Sequence, residues 1–332
     1  MRKIATLLLL AGALIVAALI AFNQWANKNI SLPEKIVYTL EPGKAFSQIS
    51  SELMDLGINV DPNLFYMLAK YEGVERSLQA GTYDLPVSFT PKQLIRMFAL
   101  GEVKLYDFRI NEGWSYRDLV KELSQNPNIT HTLKFYSIEE NVKRLGVAYP
   151  FLEGVFFPDT YSFENGTQDI EILRRSYKKM QQYLEQLSST GRNLDHSTVD
   201  LLTLASLIEK ETGLDEDRPL VSQVFHERLR KKMRLQTDPS VIFALGDKFD
   251  GNLTRKHLRL DSPYNTYRRK GLPPSPIAYP SEASLTAAVN PASTDYLYFV
   301  ARGDGSSQFS KTLREHNRAV RKYQLRPGRT DT

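Results

Sequence analysis

Leu204-Ala205-Ser206-Leu207-Ile208-Glu209-Lys210-Glu211-Thr212 closes a helix pattern, residues 198–212, whose apolar side chains are suited to burial. Ser197 or Asp195 can cap the start of this helix, and Gly213 follows its end. A carboxyl group held against apolar side chains resists ionisation, so it can stay protonated near neutral pH and donate a proton to a leaving group. The segment therefore predicts a buried helix that ends in a catalytic acid of the glycosidase type.

Two glutamates compete for this role. Residues two apart on a helix differ by ~200° in direction, so Glu209 and Glu211 cannot both point into one site. Each lies at an edge of the apolar arc formed by Leu201, Leu204 and Ile208, so periodicity does not choose between them. From this segment alone, two solvated glutamates at a fraying helix end remain an open alternative.

Other catalytic classes find little support. The five histidines form no H-E-x-x-H pair, so a zinc site is not expected, and neither a metal nor an organic cofactor is predicted. Ser176-Tyr177-Lys178-Lys179 matches S-x-x-K but has no K-T-G partner, and the chain contains no cysteine. The scattered histidines are His131, His196, His226, His257 and His316.

The N-terminus predicts a membrane anchor. Ile4 to Phe22 carries no charge, and at ~1.5 Å per residue it approaches the roughly 30 Å of a bilayer core. The flank Phe22-Asn23-Gln24-Trp25 lacks a small-residue cleavage site, which favours a retained anchor over a cleaved signal peptide. Arg2 and Lys3 precede the run, so residues 1–27 are expected to form a cytoplasmic tip and a transmembrane helix, with the remainder outside the cytoplasm.

Residues 28–105 are predicted to form a small α+β domain after a short polar connector. Its order of strand, two helices and strand resembles the LysM-like domain, which binds glycans that contain N-acetylglucosamine. A spacer domain without a ligand is the alternative. The predicted elements are strands Ile36–Leu40 and Gly81–Leu85 and helices Phe46–Leu56, Pro62–Tyr71 and Pro91–Leu100.

Residues 106–332 are predicted to form a second, larger domain that mixes helices and strands. The loop Leu152–Tyr161 is rich in aromatic residues, glycine and proline, as expected of a loop that lines a site or packs a corner. The charged end of the helix from Asp217 to Met233, with Arg228, Arg230, Lys231 and Lys232, is interpreted as a solvated face. Further predicted elements are strands Tyr106–Ile110 and Tyr296–Ala301 and helices Ser115–Leu123, Ile170–Leu187, Leu285–Val289, Thr312–Tyr323 and a short one ending at Leu245.

Several motifs in this order resemble those of the YceG-like family, the endolytic murein transglycosylases. They are Leu152-Glu153-Gly154 with Phe157-Pro158-Asp159-Thr160-Tyr161, Ala205 to Thr212, Leu235-Gln236-Thr237-Asp238-Pro239, Ser262-Pro263-Tyr264-Asn265-Thr266-Tyr267, Gly271-Leu272-Pro273-Pro274 and Tyr296 to Val300. The resemblance implies an α+β fold with an N-terminal transmembrane helix, a LysM-like domain and a catalytic domain that carries a lytic-transglycosylase-like helical glutamate.

The resemblance also implies the reaction and the catalytic residue. The bond would be the β-1,4 linkage between N-acetylmuramic acid and N-acetylglucosamine, cut within a strand to leave a 1,6-anhydro end. The C6 hydroxyl of muramic acid can attack C1, so one glutamate can serve first as acid and then as base. Glu211-Thr212 is similar to the Glu-Ser pair that ends lytic transglycosylase helices, which favours Glu211 over Glu209.

The polar loop residues are candidates for the glycan groove. Sugars are held by amide and hydroxyl groups and by aromatic rings against their apolar faces. A structural turn is the alternative role, especially for Asn265. The candidates are Gln236, Thr237, Asp238, Tyr264, Asn265, Thr266 and Tyr267.

These observations lead to one expected function and one alternative. We expect an anchored enzyme of the bacterial inner (plasma) membrane that cuts nascent peptidoglycan strands beside the synthases and so ends their elongation. The alternative is a non-catalytic glycan-binding scaffold that recruits those synthases. The net charge of +5 suits anionic lipid or an acidic polymer, and nucleic acid is not an expected partner of an exported chain.

Overall fold

The computed structural model describes residues 2–189 and 197–325, so the predicted roles of Asp195 and His196 fall outside the described residues. The chain divides into two compact units. The small unit contains Met1–Tyr106 with Ser162–Gly166, and the large unit contains Asp107–Tyr161 with Thr167–Thr332. Both units combine helices with short strands, so the fold is a mixed α+β fold.

Helix α1, Arg2–Ala26, begins the small unit. Its segment Lys3–Ala26 is long and apolar enough to cross a membrane, a property that signal sequences share, and its apolar side chains are exposed. Its last turn differs, because Ala26 is buried in the core of the small unit and Phe22 and Trp25 pack against that core. The end of α1 is therefore part of a folded unit.

The connector after α1 is more ordered than a polar linker would be. Strand β1, Ile30–Ser31, pairs antiparallel with β4, Ser88–Phe89. The neighbouring Leu32 is buried, and its N–H donates to the carbonyl of Val87 at 2.8 Å. The chain thus enters the small unit without a free tether.

The small unit packs three helices on an antiparallel pair, β2 and β3, in which Tyr38 faces Tyr83. Two of its helices begin at strong capping residues, since Asp61 accepts hydrogen bonds from two backbone N–H groups and Thr90 forms a capping box. The identity of this unit as a LysM-like domain stays a prediction. Its elements are β2 (Ile36–Leu40), α2 (Phe46–Asp55), α3 (Pro62–Tyr71), β3 (Gly81–Leu85), β4 and α4 (Pro91–Leu100).

The large unit is mainly helical, with short two-stranded sheets. Strands β6 (Ile129–Thr130) and β8 (Thr167–Gln168) pair in parallel, and β9 (Tyr298–Ala301) and β10 (Ser307–Ser310) pair antiparallel. The elements are β5 (Leu105–Arg109), α5 (Tyr116–Gln125), β6 (Ile129–Thr130), α6 (Ile138–Leu145), β7 (Thr160–Glu164), β8 (Thr167–Gln168), α7 (Asp169–Ser189), α8 (Thr198–Glu211), α9 (Arg218–Arg230), α10 (Asp238–Leu245), α11 (Glu282–Val289), β9 (Tyr298–Ala301), β10 (Ser307–Ser310) and α12 (Leu313–Tyr323).

Helix α8 lies in the core of the large unit. Every residue from Leu201 to Ile208 is buried, and the helix packs against α9 and α11. A helix that is apolar on all sides needs such surroundings. The hydroxyl of Ser197 accepts a hydrogen bond from the backbone N–H of Asp200 and caps its start. The buried helix expected from the sequence is present and carries its two glutamates to the edge of the core.

Candidate functional site

Helix α8 ends abruptly after Glu211. Thr212 adopts an extended backbone conformation, and its hydroxyl accepts a hydrogen bond from the N–H of Leu214 at 3.1 Å. The chain therefore turns away directly behind the two glutamates, so their side chains reach different neighbours.

Glu209 holds two helices together. Its Oε2 accepts hydrogen bonds from the backbone N–H of Ser281 at 3.0 Å and from the hydroxyls of Ser281 and Ser284 at 2.5 and 2.6 Å. Ser281 is the N-cap of α11. The hydroxyl of Ser284 also accepts a hydrogen bond from Nε of Arg218 at 3.2 Å. The carboxylate thus fixes the start of α11 against the end of α8.

Glu211 has the environment of a proton donor. The surrounding protein removes its carboxyl from water and raises its pKa to about 7, although part of the side chain remains exposed. The negative charge of Asp238 acts in the same direction, while Thr237 and Arg228 oppose the shift. A large fraction of Glu211 is therefore protonated at neutral pH.

Arg228 supports the loop that follows Leu235. Its side chain is buried, which corrects the interpretation of this residue as part of a solvated face. Its guanidinium donates to the carbonyls of Leu297 and Leu235, both at 2.7 Å, and its centre lies 5.3 Å from that of the Tyr298 ring. Only the packing of α9 reveals this role, because the sequence places Arg228 in a run of basic residues.

The loop that follows Leu235 is strained. Gln236 has a φ of +53°, which is uncommon for a residue other than glycine. Its side chain is exposed, whereas Thr237 is buried and its hydroxyl has no hydrogen-bond partner of ordinary geometry among the described residues. The Thr237 hydroxyl is nevertheless close enough to Glu211 to lower the pKa of its carboxyl. The loop therefore presents polar groups beside the proton donor.

A second loop, which contains Thr266 and Tyr267, holds the loop of Gln236 to Asp238 in place through hydrogen bonds. The N–H of Thr237 donates to the hydroxyl of Thr266 at 3.0 Å, and the hydroxyls of Ser240 and Thr266 are 2.8 Å apart. The hydroxyl of Tyr267 donates to Oδ1 of Asp238 at 2.5 Å. Burial, this bond and the nearby charges of Asp238 and Glu211 raise the pKa of Tyr267. Gln236 to Asp238, Thr266 and Tyr267 thus form one cluster with Glu211.

Asn265 and Tyr264 contact residues outside the cluster around Glu211. Asn265 is fully buried, and its Nδ2 donates to the carbonyls of Leu258 and Leu260 at 3.1 and 2.7 Å. The half-buried Tyr264 has its hydroxyl 2.6 Å from that of Ser275, and its ring packs on Phe243. These contacts favour a structural role for Asn265. The assignment of all seven loop residues to a glycan groove stays a prediction.

Glu153 is a second half-buried carboxyl that our catalytic assignment did not include. Its Oε1 accepts a hydrogen bond from the backbone N–H of Tyr116 at 2.9 Å, and removal from water raises its pKa to about 8. The adjacent Gly154 has a φ of +71°, and a Cβ there would clash with Pro276. In the sequence, the motif Leu152-Glu153-Gly154 was the feature that could have pointed to Glu153. In residues 2–189 and 197–325 no cluster of metal-ligating side chains is found.

Comparisons with known proteins agree on one family. The profile of the YceG-like family matches residues 38–322. The endolytic murein transglycosylase of Bacillus subtilis (strain 168) is 34% identical over 314 residues, which cover 89% of this chain and 84% of that protein. The enzyme of the same name from Streptococcus pneumoniae serotype 2 (strain D39) is 28% identical, over 85% of this chain and 57% of that protein.

A solved structure is also similar. The crystal structure of a YceG-like protein from Listeria monocytogenes has a TM-score of 0.55 and 30% sequence identity, and the match covers 86% of this chain and 98% of that one.

Proposed function

Because the chain belongs to the YceG-like family, we propose that it is an endolytic murein transglycosylase. Its substrate would be the glycan strand of peptidoglycan, cut at the β-1,4 bond between N-acetylmuramic acid and N-acetylglucosamine. The observation that carries this proposal is Glu211 at the end of α8, whose half-buried carboxyl has a pKa of about 7, which suits a general acid near neutral pH. The names of the relatives supply the substrate class.

One glutamate suffices for the proposed reaction. Protonated Glu211 donates its proton to the glycosidic oxygen as the bond from that oxygen to C1 of muramic acid breaks. The C6 hydroxyl of the same sugar attacks C1, and the Glu211 carboxylate accepts the hydroxyl proton. The products are a free 4-hydroxyl on one fragment and a 1,6-anhydro ring on the other, so no water is consumed and Glu211 regains its proton.

The neighbours of Glu211 suit both halves of this cycle. The buried guanidinium of Arg228 favours the carboxylate form and so supports the state that follows proton donation. Asp238 favours the protonated form and so supports the starting state. Their opposing effects keep both protonation states of Glu211 accessible at neutral pH. A hydrolase would need a second group to activate water, which gives a different product.

We further propose that α1 is a retained membrane anchor with Arg2 and Lys3 on the cytoplasmic side. Burial of Ala26 in the small unit supports this, because cleavage near that residue would remove part of a folded core. The enzyme would then cut nascent strands close to the outer face of the inner (plasma) membrane, beside the synthases, and end strand elongation. The small unit would serve as a LysM-like glycan reader.

The decisive experiment is mass spectrometry of the products released from purified peptidoglycan by the full chain in detergent. Internal cuts with 1,6-anhydro ends, made by the parent protein and absent from Glu211→Gln, are the expected result. Glu209→Gln is the matched control on the same helix. Reducing ends would indicate a hydrolase in which a second group activates water, and binding without any product would favour the scaffold.

A further inference from the structure

A cavity of about 670 Å³ lies in the large unit beside the cluster around Glu211. It shares two elements with that cluster, because Lys210 in the last turn of α8 and Pro239 in the first turn of α10 both line it. The volume falls within the range of small-molecule sites. The cavity is therefore a candidate binding site next to the proposed catalytic acid.

Most of the cavity wall is apolar, formed by Ile138, Pro239, Ile242, Phe243 and Ile277. The polar groups at its edge are largely committed to each other. Asp118 accepts hydrogen bonds from the N–H and the hydroxyl of Ser115, at 2.9 and 2.7 Å, in the capping box of α5. Arg117 pairs with Asp247 at 2.5 Å.

Glu153 is the polar side chain at the cavity that can still form a hydrogen bond to a ligand. Its Oε1 accepts the N–H of Tyr116, and among the described residues no hydrogen bond is found to its second oxygen. Burial and the charge of Asp118 raise the pKa of Glu153 to about 8, while Arg117 opposes this shift. At neutral pH the second oxygen therefore carries a proton that it can donate to a ligand.

Lys210 is the other donor at the cavity, and its Nζ donates to the carbonyl of Gly113 at 3.0 Å. The remaining titratable neighbours of Glu153 are Tyr116 and Tyr279, both with a raised pKa because of burial and therefore neutral at pH 7 to 9. The cavity thus offers donors among apolar walls. A ligand that offers a hydrogen-bond acceptor beside an apolar group would suit this lining.

We propose that this cavity is a glycan subsite that selects the acetamido group of an N-acetylated sugar, with Glu153 donating to the acetamido carbonyl. The methyl group of the acetamido would pack against Ile242 and Phe243. This inference rests on the proposed function for its substrate class. It assigns Glu153 to substrate selection and leaves the chemistry to Glu211.

The test measures binding in a protein that cannot cleave, so its outcome is separate from that of the catalytic proposal. Full-length Glu211→Gln protein in detergent is titrated with chitotetraose, a β-1,4-linked tetramer of N-acetylglucosamine. Cellotetraose is the matched probe, since it has the same linkage but a hydroxyl in place of each acetamido group. Each titration is made at pH 7 and at pH 9, and it is repeated on proteins that also carry either Glu153→Gln or Glu153→Met.

We expect chitotetraose to bind at least tenfold more tightly than cellotetraose at pH 7. Affinity for chitotetraose should fall about tenfold at pH 9, where Glu153 ionises, and this fall should be absent in Glu153→Gln, whose amide still donates. Glu153→Met should lose about tenfold at both pH values. If Glu153→Met does not fold, the pH comparison with Glu153→Gln decides the matter.

Two results would overturn the proposal. One is equal affinity for both tetramers, which would mean that the acetamido group is not read. The other is a fall in affinity for chitotetraose at pH 9 that is equally large in Glu153→Gln, which would mean that Glu153 is not the donor. Neither result affects the assignment of Glu211, which is judged by cleavage and not by binding.

Discussion

The carboxylate of Glu209 accepts hydrogen bonds from both the backbone N–H and the hydroxyl of Ser281, at 3.0 and 2.5 Å. Glu211, two residues later, faces the loop of Thr237 and Asp238 and has a pKa of about 7. One helix end thus carries a structural carboxylate and a titrating one. The two can be separated by experiment because their neighbours do not overlap.

Glu211→Gln should reduce turnover of peptidoglycan by about 10²- to 10⁴-fold, the usual contribution of a general acid. It should not lower the melting temperature at neutral pH, because the neutral amide replaces a carboxyl whose ionised form is disfavoured in the folded chain. Glu209→Gln should keep a substantial part of the turnover but lose about 1 to 3 kcal/mol of stability, because charge-assisted bonds to α11 are weakened. Product release and thermal unfolding measure the two effects. Inactivity of a well-folded Glu209→Gln alone would reverse the assignment.

The pH dependence of turnover should follow Glu211. The donor must be protonated, so kcat/KM should fall about tenfold per pH unit above pH 7, the value near which burial places the pKa of Glu211. A profile of kcat/KM on soluble glycan strands from pH 5 to pH 9 checks this. A rate that stays constant up to pH 9 would exclude Glu211 as the acid.

Stability should depend on pH through the same group. The pKa of Glu211 is about 7 in the folded chain and near the ordinary 4.5 when unfolded. Its favourable contribution is thus complete below pH 4.5 and is lost as the pH rises to 7. At about 1.4 kcal/mol per pKa unit, the parent should lose on the order of 2 to 3 kcal/mol relative to Glu211→Gln over this interval. Urea unfolding at pH 4.5 and pH 7.5 measures the difference.

Asn265→Ala should lower the melting temperature, because it leaves the carbonyls of Leu258 and Leu260 without their buried donor. We expect the free energy of unfolding to fall by about 2 kcal/mol. Gln236→Ala is the matched comparison, since its side chain is exposed next to Thr237 in the sequence, and its loss should weaken turnover more than stability. A stable but inactive Asn265→Ala would instead restore Asn265 to the glycan groove.

Arg228→Lys should impair the site without removing its charge. Lysine lacks the planar fork that binds the carbonyls of Leu297 and Leu235 together, so the loop that carries Gln236 and Thr237 loses its support. Turnover should fall about tenfold, while the upper limb of the pH profile changes little because a positive charge remains. A large shift of that limb would mean that Arg228 acts chiefly through its charge.

The bounds of a helix were predicted accurately from the sequence where a capping residue marks its start. Helix α3 begins and ends where expected, because Asp61 caps it and Pro62 occupies its first turn. The short α6 was not predicted, since its capping box, Ser137 with Glu140, precedes only one and a half turns of weakly apolar sequence. Strand β9 is shorter and less buried than expected, and it forms a two-stranded sheet with β10.

The site depended on contacts that local patterns do not contain. Glu209 and Glu211 are equivalent by periodicity, and the partner that distinguishes them, Ser281, lies 72 residues away. The burial of Arg228 is likewise a property of tertiary packing, because its basic neighbours in the sequence are exposed. Motif resemblance supplied the family and the catalytic glutamate, whereas the role of Glu153 required its surroundings.

The last turn of α1 enters the core of the small unit, and the chain continues at once into β1. If α1 is retained as a membrane anchor, as we propose, the chain passes directly from its membrane-spanning part into the first folded unit. A tilt of the helix in the bilayer would then turn the small unit with it. The distance of that unit from the lipid surface would be set by the membrane, so a thicker or thinner bilayer would change the layer of cell wall that it meets.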